Sequence, residues 1–134
     1  MQDFRKLEVW QRGQRLALSV YRATATYPGS ERFGLTSQMR RAAASIPANI
    51  AEGCGRASSA EFRQFLHIAA GSANELICFV LLSQDLGLLT PKQADGQERT
   101  ASDVKQMLTR LIQRISTPKR PESLGATSFS DGKR

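Results

Sequence analysis

Residues 31–56 read ERFGLTSQMRRAAASIPANIAEGCGR, and the periodicity of this stretch decides the fold. Wound at about 100° per residue, it sets Leu35, Met39, Ala42, Ile46, Ile50 and Gly53 on one face. Arg41, Ser45, Asn49, Glu52 and Arg56 follow one another on the next face, and Ala44, Pro47, Ala48, Ala51 and Gly55 fill a third. A helix that covers one core needs one apolar and one solvated face. Three faces predict two packing surfaces beside a polar seam. Pro47 lacks an N–H for the carbonyl of Ala43, which predicts a kink there, and Ser45 stands ready to satisfy that carbonyl. The stripe keeps its phase from Met39 to Ile50, so the helix is expected to continue through the proline to about Cys54, starting near Leu35 or Thr36, where the Thr36 hydroxyl can cap free N–H groups.

Working outward, residues 3–27 predict a first helix with two apolar stripes. One holds Leu7, Trp10, Ala17, Tyr21 and Thr24, and the other holds Val9, Leu16, Val20 and Tyr27. Arg5, Arg12, Arg15 and Arg22 form a basic ridge opposite, which is either a solvated face or a phosphate-binding one. The width of the apolar face predicts a contact with another subunit through Val9, Leu16 and Val20, together with the small face of the second helix at Ala44, Ala48 and Ala51. Pro28-Gly29-Ser30 ends the first helix, and the loop is expected to run to Gly34.

Ser58-Ser59-Ala60-Glu61 is a capping box that opens a third helix to about Leu86. Phe62, Phe65, Leu66, Ala69, Ala73, Leu76, Val80 and Ser83 are its expected core side, widened by Phe79 and Leu82. Its acids outnumber its single arginine, whereas the other three helices are each net basic. Thr90-Pro91-Lys92-Gln93 repeats the start signature for a fourth helix, with a seam of Ala101, Val104, Leu108, Leu111 and Ile115. Four amphipathic helices with short connections predict an all-α, antiparallel up-down four-helix bundle over residues 3–115. Residues 116–134, rich in Pro, Gly and Ser without an apolar period, read as a disordered tail.

Composition narrows the function classes. A 134-residue chain with 40% hydrophobic residues suffices for one globular core. Its longest purely apolar run, Ile77 to Leu82, is too short to span a bilayer, and no secretory signal is legible, so a cytoplasmic location is expected. Cys54 and Cys78 lack metal or redox spacing and are expected to be buried thiols. His67 is the one histidine, so neither a multi-histidine metal site nor a convincing nucleophile triad can be assembled, and no cofactor is expected. Net charge of +7 and a pI near 10.1 favour a polyanionic partner. Arg40 and Arg41 join the four first-helix arginines as candidate phosphate contacts, while Asn49, Glu52 and Arg56 are read as fixing helix or subunit register.

FRKLEVWQ at 4–11, FGLTSQMRRAAASIPANIAEGCGR at 33–56 and EFRQFLHIAAGSANEL at 61–76 together resemble the bacterial four-helix-bundle family encoded in intervening sequences of 23S ribosomal RNA. The resemblance implies a homopentamer, similar in fold to the accessory protein of diversity-generating retroelements, which binds nucleic acid. This chain departs from the family where Glu75-Leu76 is followed by Ile77-Cys78-Phe79, which weakens any carry-over of an acidic third-helix surface. Two readings result. In the first, a non-enzymatic oligomer binds structured RNA or DNA through its basic surface. In the second, a structural or adaptor protein binds a protein partner and no nucleic acid.

Overall fold

A computed structural model describes residues 3–116, which form four α-helices and, among the described residues, no strand. A 3-10 turn at Phe4–Lys6 precedes α1 (Glu8–Thr24), and a second turn at Gly29–Glu31 lies within the connection to α2 (Leu35–Cys54). Then come α3 (Ser59–Asp85) and α4 (Pro91–Ser116). The tail expected from residue 116 lies outside the described residues from 117 onward.

Each helix contacts two others: α1 meets α2 and α4, and α3 meets α2 and α4. The enclosed core is built from Leu16, Val20, Met39, Ile46, Ile50, Leu66, Leu76, Val80, Val104 and Leu108, all nearly or wholly removed from solvent. Every member of the predicted α2 stripe is buried. Pro47 lies inside α2, which runs without interruption from Leu35 to Cys54.

Local signals set most helix ends. The Ser58 hydroxyl accepts from the Glu61 N–H at 3.1 Å. At α4 the exchange is reciprocal: the Gln93 N–H donates to the Thr90 hydroxyl at 3.1 Å, and the Thr90 N–H donates to Gln93 Oε1 at 2.9 Å. Gly87, with φ of +79°, adopts the left-handed conformation that ends α3 at little steric cost.

Five expectations need correction. The first helix does not begin at Asp3: Asp3 caps the 3-10 turn through the Arg5 N–H, so Arg5 is not on the α1 ridge. Thr36 does not cap α2, because the Glu31 carboxylate reaches forward to the Leu35 N–H at 3.0 Å. Leu82 is 44% exposed and adds nothing to the core, whereas Ile112 is buried in place of Leu111 and Ile115, which pack at its edge. Val9, Leu16 and Val20 fill this chain's own core, so they are not the subunit surface they were expected to be. Cys54 is buried as expected, but Cys78 is exposed.

Candidate nucleic-acid interface

Arg12, Arg15 and Arg22 project from α1 into solvent. Arg12 lies 3.3 Å from Glu8 one turn earlier, a surface pair of small energetic weight. Arg15 and Arg22 have no ionic or hydrogen-bonded partner among the described residues. Arg5 is tied instead to Asp3 at 3.0 Å, and that hydrogen bond holds the Asp3 carboxyl below its usual range.

The predicted arginines of α2 have different fates. Arg40 donates to the Thr24 hydroxyl at 2.8 Å and to the Tyr21 carbonyl at 3.2 Å, and its guanidinium lies over the Tyr21 ring at 4.7 Å. It therefore joins α2 to the end of α1. Arg41, its neighbour, is exposed and unpaired among the described residues.

Two further cations belong beside the α1 ridge. Ser19 on α1 hydrogen-bonds Gln97 of α4 at 3.2 Å, and farther along the same joint Leu7, Glu8 and Val9 share a cleft of about 220 Å³ with Met107, Arg110, Leu111 and Arg114. Arg110 and Arg114 are one turn apart, exposed, and without an ionic or hydrogen-bonded partner among the described residues. Their four-residue spacing was available in the sequence, but their proximity to α1 arises only when α4 closes the bundle. The resulting α1–α4 face carries Arg12, Arg15, Arg22, Arg110 and Arg114 against Glu8 and the exposed Asp103, one heptad before Arg110, an arrangement suited to contacting phosphates rather than to performing a reaction.

The seam of α2 has a separate role. The Ser45 hydroxyl bonds the Ser72 hydroxyl of α3 at 2.8 Å, and the Asn49 amide donates to both the Ser45 hydroxyl and carbonyl at 2.8 Å. Arg56 pairs with Glu52 and stacks on the Phe65 ring of α3 at 4.8 Å. These contacts tie α2 to α3.

The small face of α2 lines something larger. Ala44, Pro47, Ala48 and Ala51 oppose Phe4, Trp10, Ala17, Leu18 and Tyr21 across a groove of about 490 Å³, which Gln14 also lines. The first apolar stripe of α1, expected in the core, thus contributes to this surface. Leu18 and Tyr21 are 46% and 44% exposed. His67 is exposed on α3, and among the described residues no three His, Cys, Asp or Glu side chains gather as metal ligands.

A family model described as 23S rRNA-intervening sequence protein matches residues 5–110 of the chain. A solved structure from Bacteroides thetaiotaomicron, a protein of unknown function from the S23 ribosomal protein family, has a similar fold with a TM-score of 0.71. The two are 24% identical, and the match covers 78% of this chain and 98% of that one. No curated protein matches the chain.

Proposed function

We propose, for a chain that belongs to the 23S rRNA-intervening sequence protein family, the function of a self-associating, nucleic-acid-binding bundle without a reaction of its own. The observation that carries the binding reading is the joining of the unpaired α1 arginines Arg15 and Arg22 to Arg110 and Arg114 of α4 on one face. Arg12 and Arg41 extend it. Structured RNA or DNA is the polyanion for which this charge is suited, bound by its phosphates with slight sequence preference in the cytoplasm. Helices in an antiparallel up-down order, bent at Pro47, would present it. The contacts of Gly13 with Ile46, Arg40 with Tyr21, Ser45 with Ser72 and Ser19 with Gln97 support that order. The apolar α1–α2 groove supports self-association, for which a pentamer is the state suggested by family resemblance.

Fluorescence anisotropy with a labelled hairpin RNA or duplex DNA, repeated from about 50 to 200 mM salt, tests the binding. Affinity should fall steeply with salt, and Arg15→Gln with Arg22→Gln should lower the log–log slope by about 1.8 on duplex DNA, near 0.9 per phosphate contact. Arg110→Gln with Arg114→Gln should do the same. No affinity at low salt, or an unchanged slope in both pairs, refutes the reading. The groove also fits the alternative of a protein-binding adaptor. Partners recovered by pull-down and retained after nuclease treatment would favour that alternative.

A further inference from the structure

The outward side of α3 is more apolar than its own chain requires. Its most apolar 18-residue window has a mean hydropathy of 1.7, yet only 28% of that window is buried in the bundle. Two heptad series lie on the side away from the core: Ile68, Glu75 and Leu82, and between them Gly71, Cys78 and Asp85. Ile68 and Leu82 are 45% and 44% exposed, and Leu86 extends the strip at 56%. Gly71 stands in mid-helix, where a glycine costs about 1 kcal/mol relative to alanine. A Cβ there would meet nothing within 4 Å. Nothing among the described residues therefore requires the glycine, while close approach of another helix would.

The α1–α2 groove is the complementary surface. Its floor is made of Ala44, Ala48 and Ala51, small enough to admit a helix closely, and Trp10, Leu18 and Tyr21 form its α1 side. The charges also match. Arg41 lies one heptad before Ala48 on the same side of α2, exposed and unpaired among the described residues, whereas the charges of the α3 strip are Glu75 and Asp85.

We propose that the outward face of α3 of one copy seats in the α1–α2 groove of the next. This deepens the self-association reading and rests on it. The joint uses two different surfaces, so every copy offers a free groove and a free α3 face until a ring closes. Groove against groove, or α3 against α3, would instead stop at two copies.

Complementation of two blocked surfaces tests the joint. Ala48→Arg obstructs the groove and leaves the α3 face intact; Leu82→Glu charges the α3 face and leaves the groove intact. Each variant alone should be monomeric by light scattering at micromolar concentration, with a wild-type circular dichroism spectrum. Their equimolar mixture should double in mass, because one sound joint can form between the two variants. Oligomeric wild type whose variants stay oligomeric, or whose mixture stays monomeric, overturns the head-to-tail joint and leaves self-association standing. Monomeric wild type overturns both, and monomers that float with phosphatidylcholine vesicles assign the α3 face to a membrane. If either blocked variant fails to fold, Ala48→Cys with native Cys78 and a short bismaleimide supplies a second readout. The expected product is a ladder beyond dimer that Cys78→Ala abolishes; dimers alone refute the joint.

Discussion

Replacing Gly53 by alanine should destabilise the bundle although alanine is the better helix former. The added Cβ would lie 2.9 Å from Phe62 Cδ1, 3.0 Å from Phe65 Cβ and 3.3 Å from the Phe62 carbonyl oxygen. Carbon pairs rest at about 3.5–4.0 Å. The Phe62 ring edge can turn aside, but Phe65 Cβ and the Phe62 carbonyl are fixed to the first turns of α3, so that helix end must move. Overpacking of this kind costs about 1–3 kcal/mol. The return in helix propensity is at most about 1 kcal/mol, and less in the last turn, leaving a net loss of about 1–2 kcal/mol. Gly96→Ala is the matched control, because Gly96 is inside α4 and a Cβ there meets nothing within 4 Å. It should stabilise by about 1 kcal/mol, with the same reduction of unfolded-chain entropy as Gly53→Ala. Urea unfolding at equal protein concentration would then separate the variants by about 2–3 kcal/mol, or about 1–1.5 M in midpoint for an m near 2 kcal/mol/M. A Gly53→Ala midpoint equal to that of Gly96→Ala refutes the close approach of α2 and α3.

The Tyr27 hydroxyl is buried without a hydrogen-bond partner among the described residues, and the Ser83 hydroxyl donates instead to Met39 Sδ at 3.3 Å. Tyr27→Phe should be neutral or stabilising by up to about 1 kcal/mol in urea. Burial raises the Tyr27 phenol above 10.0 and the Cys54 thiol above 9.0, so the folded state holds these protons more firmly than the unfolded chain. Their stabilising contribution is intact below pH 9 and is lost as pH rises through the folded values; Tyr27→Phe should flatten the part of that decline above pH 10, measured by melts from pH 8 to 11. Ellman's reagent should modify exposed Cys78 quickly and buried Cys54 only at the rate of local opening, so equal rates would contradict the placement of Cys54. Thr90→Ala removes an acceptor from the α4 box and should cost about 1 kcal/mol, largely restored by Thr90→Ser, as read by urea midpoints.

Features that depend on neighbours in sequence were legible in it. The α2 stripe from Leu35 to Gly53 and the starts of α3 and α4 at Ser58 and Thr90 involve one helix face or one turn, and the structure has them as expected. The failures lie where two solutions satisfy the same local pattern. Val9, Leu16 and Val20 are on one stripe of α1 and Trp10 and Tyr21 on its neighbour; only the position of α2 and α4 decides that the first is enclosed. Glu31 caps α2 from a 3-10 turn that has no hydrophobic period to announce it. Arg110 and Arg114 read as an ordinary solvated pair until their cleft is shared with Leu7 and Glu8. The candidate site was therefore half legible: its α1 side followed from spacing, and its α4 side required the closed bundle.

The α1–α4 joint is the sparsest of the four, and it is the one that brings the two ends of the described chain together. The other three joints link helices consecutive in sequence and can form by local zippering, so closure of α4 onto α1 carries the largest loop entropy. The basic face lies across this closure. A polyanion bound to arginines of both helices would act as a clasp, slowing the opening of the bundle by holding its first and last helices together. Amide protons near Ser19 and Gln97 are where such a clasp would register first, as slower hydrogen exchange in the complex.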